Sequence, residues 1–303
     1  MSIRVRSFGE IFDQVYADPK RNGEIVLSEA NEIRKSFSAG LGHPHFDDIQ
    51  LGETIPGTLI VFFMDIRGFT KMAIALGNDE LVKILQAITI ASIYSVQRFG
   101  GYVAEFTGDG IMAFFGGERP VTKTEALNAV KASCFMMRGI KESVNKHLNR
   151  TLDETVRVGM GLEYGNVLWT RIGINGTSQV KPISEISFVA GKNSSHASSW
   201  EIVIGKNMSD WIPEQFKEKY EAYTFQKDGK KYEYPRSLLK WEAFNSLDDS
   251  TPTKLEQLLL SKALPTLPII TVSSGNSLSY TPSNKSKNGG PRPLKDQPFF
   301  QLP

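Results

Sequence analysis

The order of apolar patterns between residues 58 and 170 constrains the fold of this chain most strongly. Thr58–Met64 is a short, continuous apolar run rich in β-formers, which is typical of a buried strand. Apolar residues at helical spacing indicate a helix over Asp79–Phe99. Tyr102–Phe106 and Ile111–Phe115 are two short strands, and the Gly-Asp-Gly sequence between them predicts a hairpin turn.

A second helix and further strands complete this pattern. Thr122 and Glu125 form a capping box, which opens a helix that extends to about Leu148. Two more strands are predicted at residues 156–162 and 166–170, on either side of a glycine. The sequence therefore predicts an α+β fold with a ferredoxin-like βαββαβ core, in which an antiparallel sheet carries two helices on one face, together with additional strands and helices.

Composition divides the chain into three parts. Residues 1–52 are a charged extension with helical spacing of apolar residues. Residues 53–245 contain the predicted core, a further helix over Phe188–Trp200 and a hairpin over Tyr223–Tyr234. Residues 246–303 are a C-terminal extension, and from about residue 276 its content of proline, glycine and serine predicts disorder.

Charge and hydropathy exclude several classes of protein. The chain has 35 basic and 33 acidic residues, so it lacks the basic excess of a nucleic-acid binder. The N terminus has no apolar leader, and the longest apolar stretch, Leu59–Met64, is far shorter than the ~18 residues that a membrane span requires. We expect a cytoplasmic protein with neither a nucleic-acid nor a membrane partner.

Two acidic residues follow the predicted strands at points where they can meet. Asp65 ends the first strand and is followed by a glycine-containing turn, and Asp109 lies at the hairpin tip. In a ferredoxin-like sheet the first strand and this hairpin are neighbours, so both carboxylates can converge on two divalent cations about 3.5–4 Å apart. Free backbone N–H groups in the turn suit phosphate oxygens. This combination favours chemistry on a nucleoside triphosphate.

The segments FMDIRGFTKM and GGYVAEFTGDGIMAFFG resemble class III nucleotidyl cyclases, and the resemblance extends over about residues 55–240. It implies that 53–245 is a catalytic domain in which Asp65 and Asp109 bind two Mn²⁺ or Mg²⁺ ions, with the Ile66 carbonyl as a third contact. It also implies a head-to-tail homodimer with two shared sites. The triphosphate would be held by the turn made of Arg67, Gly68, Phe69 and Thr70.

Two positions address the choice of base. Glu105 stands where adenylate cyclases of this class carry lysine and guanylate cyclases carry a carboxylate. Phe188 stands where adenine readers carry aspartate and guanine readers a small polar residue. Glu105 cannot donate to adenine N1, and Phe188 offers bulk without a polar partner; each unpaired base edge costs ~1–3 kcal/mol.

A pyrimidine satisfies Glu105 better, because uracil N3–H or the cytosine N4 amino group can donate to it. The chain thus resembles the bacterial anti-phage pyrimidine cyclases. We expect conversion of UTP to 3′,5′-cyclic UMP and diphosphate, with cyclic CMP from CTP as the alternative; no residue decides between the two. The resemblance further implies that the product is a second messenger in antiviral defence, read by a separate effector protein.

The sequence departs from the family after Gly191-Lys192. The family continues V-N-x-A-x-R, whose asparagine orients the ribose and whose arginine stabilises the transition state. Here these positions are Ser195 and Ser199. Serine can still form a hydrogen bond, but it supplies no cation, and losing such stabilisation costs ~10²–10³ in rate. Arg171, Lys192 or the Lys230-Lys231 pair could substitute.

Two further interpretations remain open at this point. Glu105 alone supports a guanylate cyclase. Ser195 and Ser199 support a catalytically inactive cyclase-homology domain that binds nucleotide or dimerises, whereas the presence of both metal-binding aspartates argues against it.

Overall fold

The computed structural model describes residues 6–20, 22–26, 41–117, 120–227, 229–244, 253–272 and 278–281. The strands are β1 Thr54–Arg67, β2 Tyr102–Phe106, β3 Ile111–Gly116, β4 Arg157–Ile174, β5 Thr177–Ile183, β6 Glu201–Gly205, β7 Lys217–Lys227, β8 Lys230–Leu239, β9 Ile269–Val272 and β10 Leu278–Thr281. The helices are α1 Phe8–Ala17, α2 Phe69–Ala75, α3 Asn78–Arg98, α4 Lys123–Arg138, α5 Asn145–Leu152, α6 Glu185–His196, α7 Lys206–Trp211 and α8 Lys254–Ser261.

The main sheet has the strand order β2-β3-β1-β4-β6-β8-β7, and β5 pairs with β4 outside this path. β1 pairs antiparallel with both β3 and β4, and β2 pairs antiparallel with β3. Helix α3 connects β1 to β2, and α4 begins the connection from β3 to β4. This order and these connections confirm the predicted ferredoxin-like βαββαβ core within an α+β fold.

Both faces of the central strand β1 are covered. Ile60, Phe62 and Met64 belong to the larger apolar cluster, which includes buried residues of α1, α3 and α4. Leu59 and Val61 belong to a second cluster on the opposite face, formed with residues of α6 and of the segment before β1. Because successive side chains of a strand point to opposite faces, burial on both sides explains the uninterrupted apolar run in the sequence.

Residues 156–162 and 166–170 are almost entirely in a strand, as predicted, but the predicted break between them is wrong, because β4 continues through both as one strand. Gly165, which the pattern treats as a break, pairs with Leu59 in the β1–β4 ladder. A Cβ at Gly165 would lie 2.5 Å from Ile186 Cγ2 at the start of α6. Glycine is needed here for close helix–strand packing rather than for a turn.

The predicted helices are present, with shifted ends. The Thr122 hydroxyl accepts from the Glu125 backbone N–H at the start of α4, as the capping box requires. The helical path then continues through a π-helical segment, Gly139–Val144, into α5, and so ends later than predicted. Helix α6 begins at Glu185, three residues before the predicted start.

The C-terminal extension docks on the helical face through α8. Lys131 Nζ of α4 lies 2.7 Å from Glu256 Oε1, and Lys123 Nζ donates to the Leu260 carbonyl at 2.9 Å. β9 and β10 pair antiparallel, so Leu278–Thr281 forms a strand within the segment whose composition predicts disorder. The rest of that stretch lies outside the described residues, and the division at residues 52 and 245 remains a prediction.

Among the described helices, none combines the length and apolarity that a membrane crossing requires.

Candidate active site

The end of β1 and the tip of the β2–β3 hairpin lie directly against each other. The β1–β3 ladder ends at the pair Met64 and Ile111, and its continuation places Asp65 beside Gly110. A Cβ at Gly110 would overlap the Met64 carbonyl oxygen and lie 3.3 Å from the Asp65 Cα. The hairpin is closed by a hydrogen bond of 3.1 Å from the Thr107 backbone N–H to the Gly110 carbonyl. A residue without a side chain therefore lets the tip approach Asp65.

This approach brings the carboxyl groups of Asp65 and Asp109 close enough for the charge of Asp65 to act on Asp109. Burial, and then the negative charge of Asp65, raise the pKa of Asp109 above its ordinary value. Two carboxylates this close attract cations, and among the described residues no third His, Cys, Asp or Glu joins them in a metal-binding group. Such a pair fits Mg²⁺ or Mn²⁺, since Mg²⁺ is commonly held by one or two carboxylates together with water and substrate phosphates.

Arg67 lies beside these carboxylates. It is the last residue of β1, and its Nη1 donates to Asp65 Oδ2 at 2.8 Å. Its Nη2 donates to the Ser194 carbonyl in the last turn of α6. Its guanidinium thus spans from Asp65 to α6, and the assignment of Arg67 to the triphosphate turn remains a prediction.

The turn itself is shorter than predicted. Gly68 adopts a left-handed φ of 73° directly before α2, and Phe69 and Thr70 are the first two residues of that helix. Phe69 is half-buried against the core, whereas Thr70 is exposed. The side chain of Ile66 is buried in the core, and the predicted contact through its carbonyl remains a prediction.

Glu105 and Phe188 line one pocket of about 160 Å³, which lies between the β2–β3 hairpin, β5 and the start of α6. Phe188 stands on α6 and is 73% exposed, so it is not a core aromatic on a strand. The structure thus brings both predicted base-selecting residues to one cavity. Neither Asp65 nor Asp109 is among the residues that line it.

Sequence reasoning missed Lys181, which lies in β5 and lines the same pocket. Its Nζ donates to Glu105 Oε2 at 2.8 Å. No motif connects the two residues, because they are 76 positions apart and meet only through the pairing of β5 with β4. The pocket therefore offers a donor as well as an acceptor, and the argument that adenine N1 would find no donor beside Glu105 does not hold in the structure.

A family model described as the Adenylate and Guanylate cyclase catalytic domain matches residues 56–233 of this chain, more than half of its length. The chain belongs to this cyclase family.

Known relatives of this cyclase domain differ in the base that their names specify. It is 26% identical over 174 residues to the cytidylate cyclase of Escherichia coli, across 55% of this chain and 38% of that protein. It is 31% identical over 154 residues to the terminal-differentiation-specific adenylate cyclase of Dictyostelium discoideum, across 51% of this chain and 7% of that protein. It is 24% identical over 136 residues to the uridylate cyclase of Rhodovulum sp. (strain MB263), across 43% of this chain and 55% of that protein.

Solved structures agree with the fold of the cyclase domain. The adenylyl cyclase CyaB of P. aeruginosa superposes with a TM-score of 0.55 at 22% identity, across 66% of this chain and all of that one. At this identity the match supports the architecture and not the substrate.

The last turn of α6 carries the positions where this cyclase domain departs from its family. Ser195 Oγ donates to the Lys192 carbonyl at 3.1 Å, and both residues are exposed and lie outside the pocket lining. Ser199 lies in the turn that follows. Asp65 pairs with Gly159 at the start of β4, whereas Arg171 lies towards the other end of that strand. The Arg171 Nε donates to the Ile49 carbonyl at 2.6 Å. Arg171 is therefore too far from Asp65 to act on cations held by the same chain.

Proposed function

We propose that this cyclase domain is a pyrimidine nucleotidyl cyclase, which converts UTP or CTP to the 3′,5′-cyclic monophosphate and diphosphate. One observation carries the proposal: the hairpin tip with Asp109 lies against the end of β1 with Asp65, so that both carboxylates meet at one edge of the sheet, where a pair of divalent cations can bind. The pocket with Glu105 supports base recognition, and the similarity to cytidylate and uridylate cyclases supports a pyrimidine.

The chain's residues bind and orient the triphosphate. Asp65 and Asp109 hold the cations, and Gly68 turns the backbone so that N–H groups at the start of α2 can bind phosphate oxygens. Bound cations lower the pKa of the ribose 3′-hydroxyl and neutralise charge on the triphosphate. The 3′-oxygen then bonds to the α-phosphorus in line with the departing diphosphate, and its proton passes to solvent.

Glu105 and Phe188 are compatible with a pyrimidine for complementary reasons. The Glu105 carboxylate can accept from uracil N3–H or from the cytosine N4 amino group. Phe188, at the rim of the pocket, offers a ring face for stacking and no hydrogen-bonding group. UTP is the first candidate substrate and CTP is the alternative; no residue decides between them, and the relatives include cyclases named for each base.

The active site is proposed to be shared between two copies of the chain. Within one chain the metal-binding aspartates do not line the base pocket. Phe106 and Phe188 are 43% and 73% exposed, and Ile74 of α2 is 82% exposed. A head-to-tail homodimer would cover such apolar side chains and bring the aspartates of one chain to the pocket of the other.

The proposed biological role rests on the resemblance to bacterial anti-phage pyrimidine cyclases. The cyclic pyrimidine nucleotide would act in the cytoplasm as a second messenger in anti-phage defence, bound by a separate effector protein.

A second candidate function is supported by Ser199, which supplies no cation where the family has arginine. In that case the domain binds nucleotide and metal without forming product. Arg67 weakens this alternative, because its guanidinium already lies 2.8 Å from an oxygen of Asp65.

Incubation of the purified chain with each of the four triphosphates and Mn²⁺ tests the proposal. Cyclic UMP or cyclic CMP should form fastest, and Asp65→Asn and Asp109→Asn should each lower the rate by at least about 100-fold without changing the melting temperature. Faster turnover of ATP or GTP would reject the pyrimidine assignment. Metal-dependent nucleotide binding without product would identify the inactive domain instead.

A further inference from the structure

We propose that Lys181, Ser184 and Ser187 complete the base-recognition site around Glu105, with Lys181 as its principal hydrogen-bond donor. The inference rests on the proposed function and extends it to residues that no family motif indicates. Lys181 lies in β5, Ser184 is the N-cap of α6 and Ser187 lies in the first turn of that helix; all three line the pocket that contains Glu105 and Phe188.

The Lys181–Glu105 ion pair is arranged for a ligand rather than for stability. The two side chains are 38% and 43% exposed, and an ion pair this accessible to water contributes little to folding. The Lys181 ammonium donates one N–H to Glu105 Oε2 at 2.8 Å and has two further N–H groups that can donate. Among the described residues that line the pocket, Lys181 is the one that carries a positive charge.

Ser184 and Ser187 provide an independent observation. Their hydroxyl oxygens are buried and have no hydrogen-bond partner in the described structure. Ser184 occupies the N-cap position of α6, where a serine hydroxyl normally accepts from the first turn, yet it makes no such bond. A buried hydroxyl without a partner is unfavourable, so a polar ligand that enters the pocket would be favoured by pairing with it.

The combination matches the edge of a pyrimidine. Uracil presents N3–H between two carbonyl oxygens, and cytosine presents its N4 amino group beside the acceptor N3. Each requires an acceptor and a donor side by side, and Glu105 and Lys181 are 2.8 Å apart. The serine hydroxyls can donate to the remaining carbonyl oxygen. Hydrogen bonding to the base in this pocket thus uses Lys181 of β5 and the serines at the start of α6, because Phe188 offers no hydrogen-bonding group.

A matched pair of lysine variants tests the role of Lys181. Lys181→Met should lower kcat/KM for the preferred triphosphate about tenfold or more and compress the preference among the four bases, because a buried base edge is left unpaired. Lys206→Met is the control, since Lys206 forms an ion pair of equal lysine exposure, 2.6 Å from Asp210, away from the pocket. It should leave both quantities unchanged. Unchanged base preference in Lys181→Met would overturn the proposal.

The serines allow a second readout. Ser184→Ala and Ser187→Ala each remove a buried hydroxyl without a partner, so neither should lower the melting temperature, while KM for the preferred triphosphate should rise several-fold. A lower melting temperature with unchanged KM would assign these hydroxyls to the fold and contradict their role here.

Binding separates this inference from the proposed function. If wild-type chain forms no cyclic product, the proposed function fails, and displacement of a fluorescent nucleotide by each of the four triphosphates then decides the role of Lys181. Selective binding that is lost in Lys181→Met supports it, and equal binding of all four by wild type and variant rejects it. The absence of any nucleotide binding by wild type would overturn both.

Discussion

Glu163 is the carboxylate most completely enclosed among the described residues, with no exposed surface. Backbone N–H groups of Tyr164 and Met208 donate to its Oε1 at 2.8 and 3.2 Å, and the Tyr234 hydroxyl donates to Oε2. Burial raises the pKa of Glu163 to about 7, although these hydrogen bonds oppose the shift. A Cβ at Gly205 would overlap Oε2, so the backbone closes over the carboxyl group.

This burial predicts a pH-dependent stability. Because the pKa of Glu163 is higher in the folded chain than its ordinary value of 4.5, the folded state binds the proton more tightly, and the free energy of unfolding falls as pH rises from about 4.5 to about 7. The slope from one such group is at most about 1.4 kcal/mol per pH unit. Glu163→Gln should remove this contribution, as urea unfolding of both proteins at pH 5, 6 and 7 would show. A wild-type minus variant difference that is constant with pH would contradict the assignment.

At the scale of secondary-structure elements, the contact of α6 with β4 sets the position of Phe188. A Cβ at Gly161 of β4 would overlap the backbone of α6 at Ala190 and Ser194. A Cβ at Gly191 of α6, in contrast, would lie 3.7 Å from Phe63, an ordinary van der Waals distance. The close packing of α6 on the sheet therefore requires glycine at position 161 but not at position 191.

The same substitution at these two glycines should have opposite effects. Gly161→Ala should lower the free energy of unfolding by about 1–3 kcal/mol, since α6 must move off the sheet. Gly191→Ala should raise it by up to ~1 kcal/mol, because alanine is the better residue inside a helix. Chemical denaturation of both variants measures this directly. Equal destabilisation by the two substitutions would show that α6 is not held by the Gly161 contact.

Local patterns predicted the elements well and the contacts between them poorly. The alternation of strands and helices, the hairpin with Asp109 at its tip and the capping box at Thr122 all have short-range signatures, and the structure contains each of them. Gly165 was misread because a glycine required by a neighbouring helix looks like a chain break. Lys181 was missed because its partner, Glu105, is distant in sequence and no motif contains both.

At the scale of the whole molecule, the separation of the aspartates from the base pocket predicts complementation between chains. One variant, Asp65→Asn, loses metal binding, and a second, Glu105→Ala with Lys181→Met, loses the base pocket. After mixing, half of the dimers are heterodimers, and each heterodimer has one intact site of two. The mixture should therefore regain about a quarter of the wild-type rate. Product formation before and after mixing and subunit exchange measures this.

The control for complementation uses two variants that both lose metal binding. Asp65→Asn mixed with Asp109→Asn should stay inactive, since every site would lack one aspartate. Recovery in this control, or its absence in the first mixture, would show that the active site is not shared as proposed.

Glu105 and Asp109 stand four residues apart on a single hairpin. If the dimer is arranged as proposed, the stem of that hairpin touches one nucleotide while its tip grips the other. A nucleotide seated at the first site would then shift the affinity of the second through a short, stiff piece of backbone. The rate of the cyclase should accordingly depart from a hyperbolic dependence on nucleotide concentration, because turnover at one site affects turnover at the other.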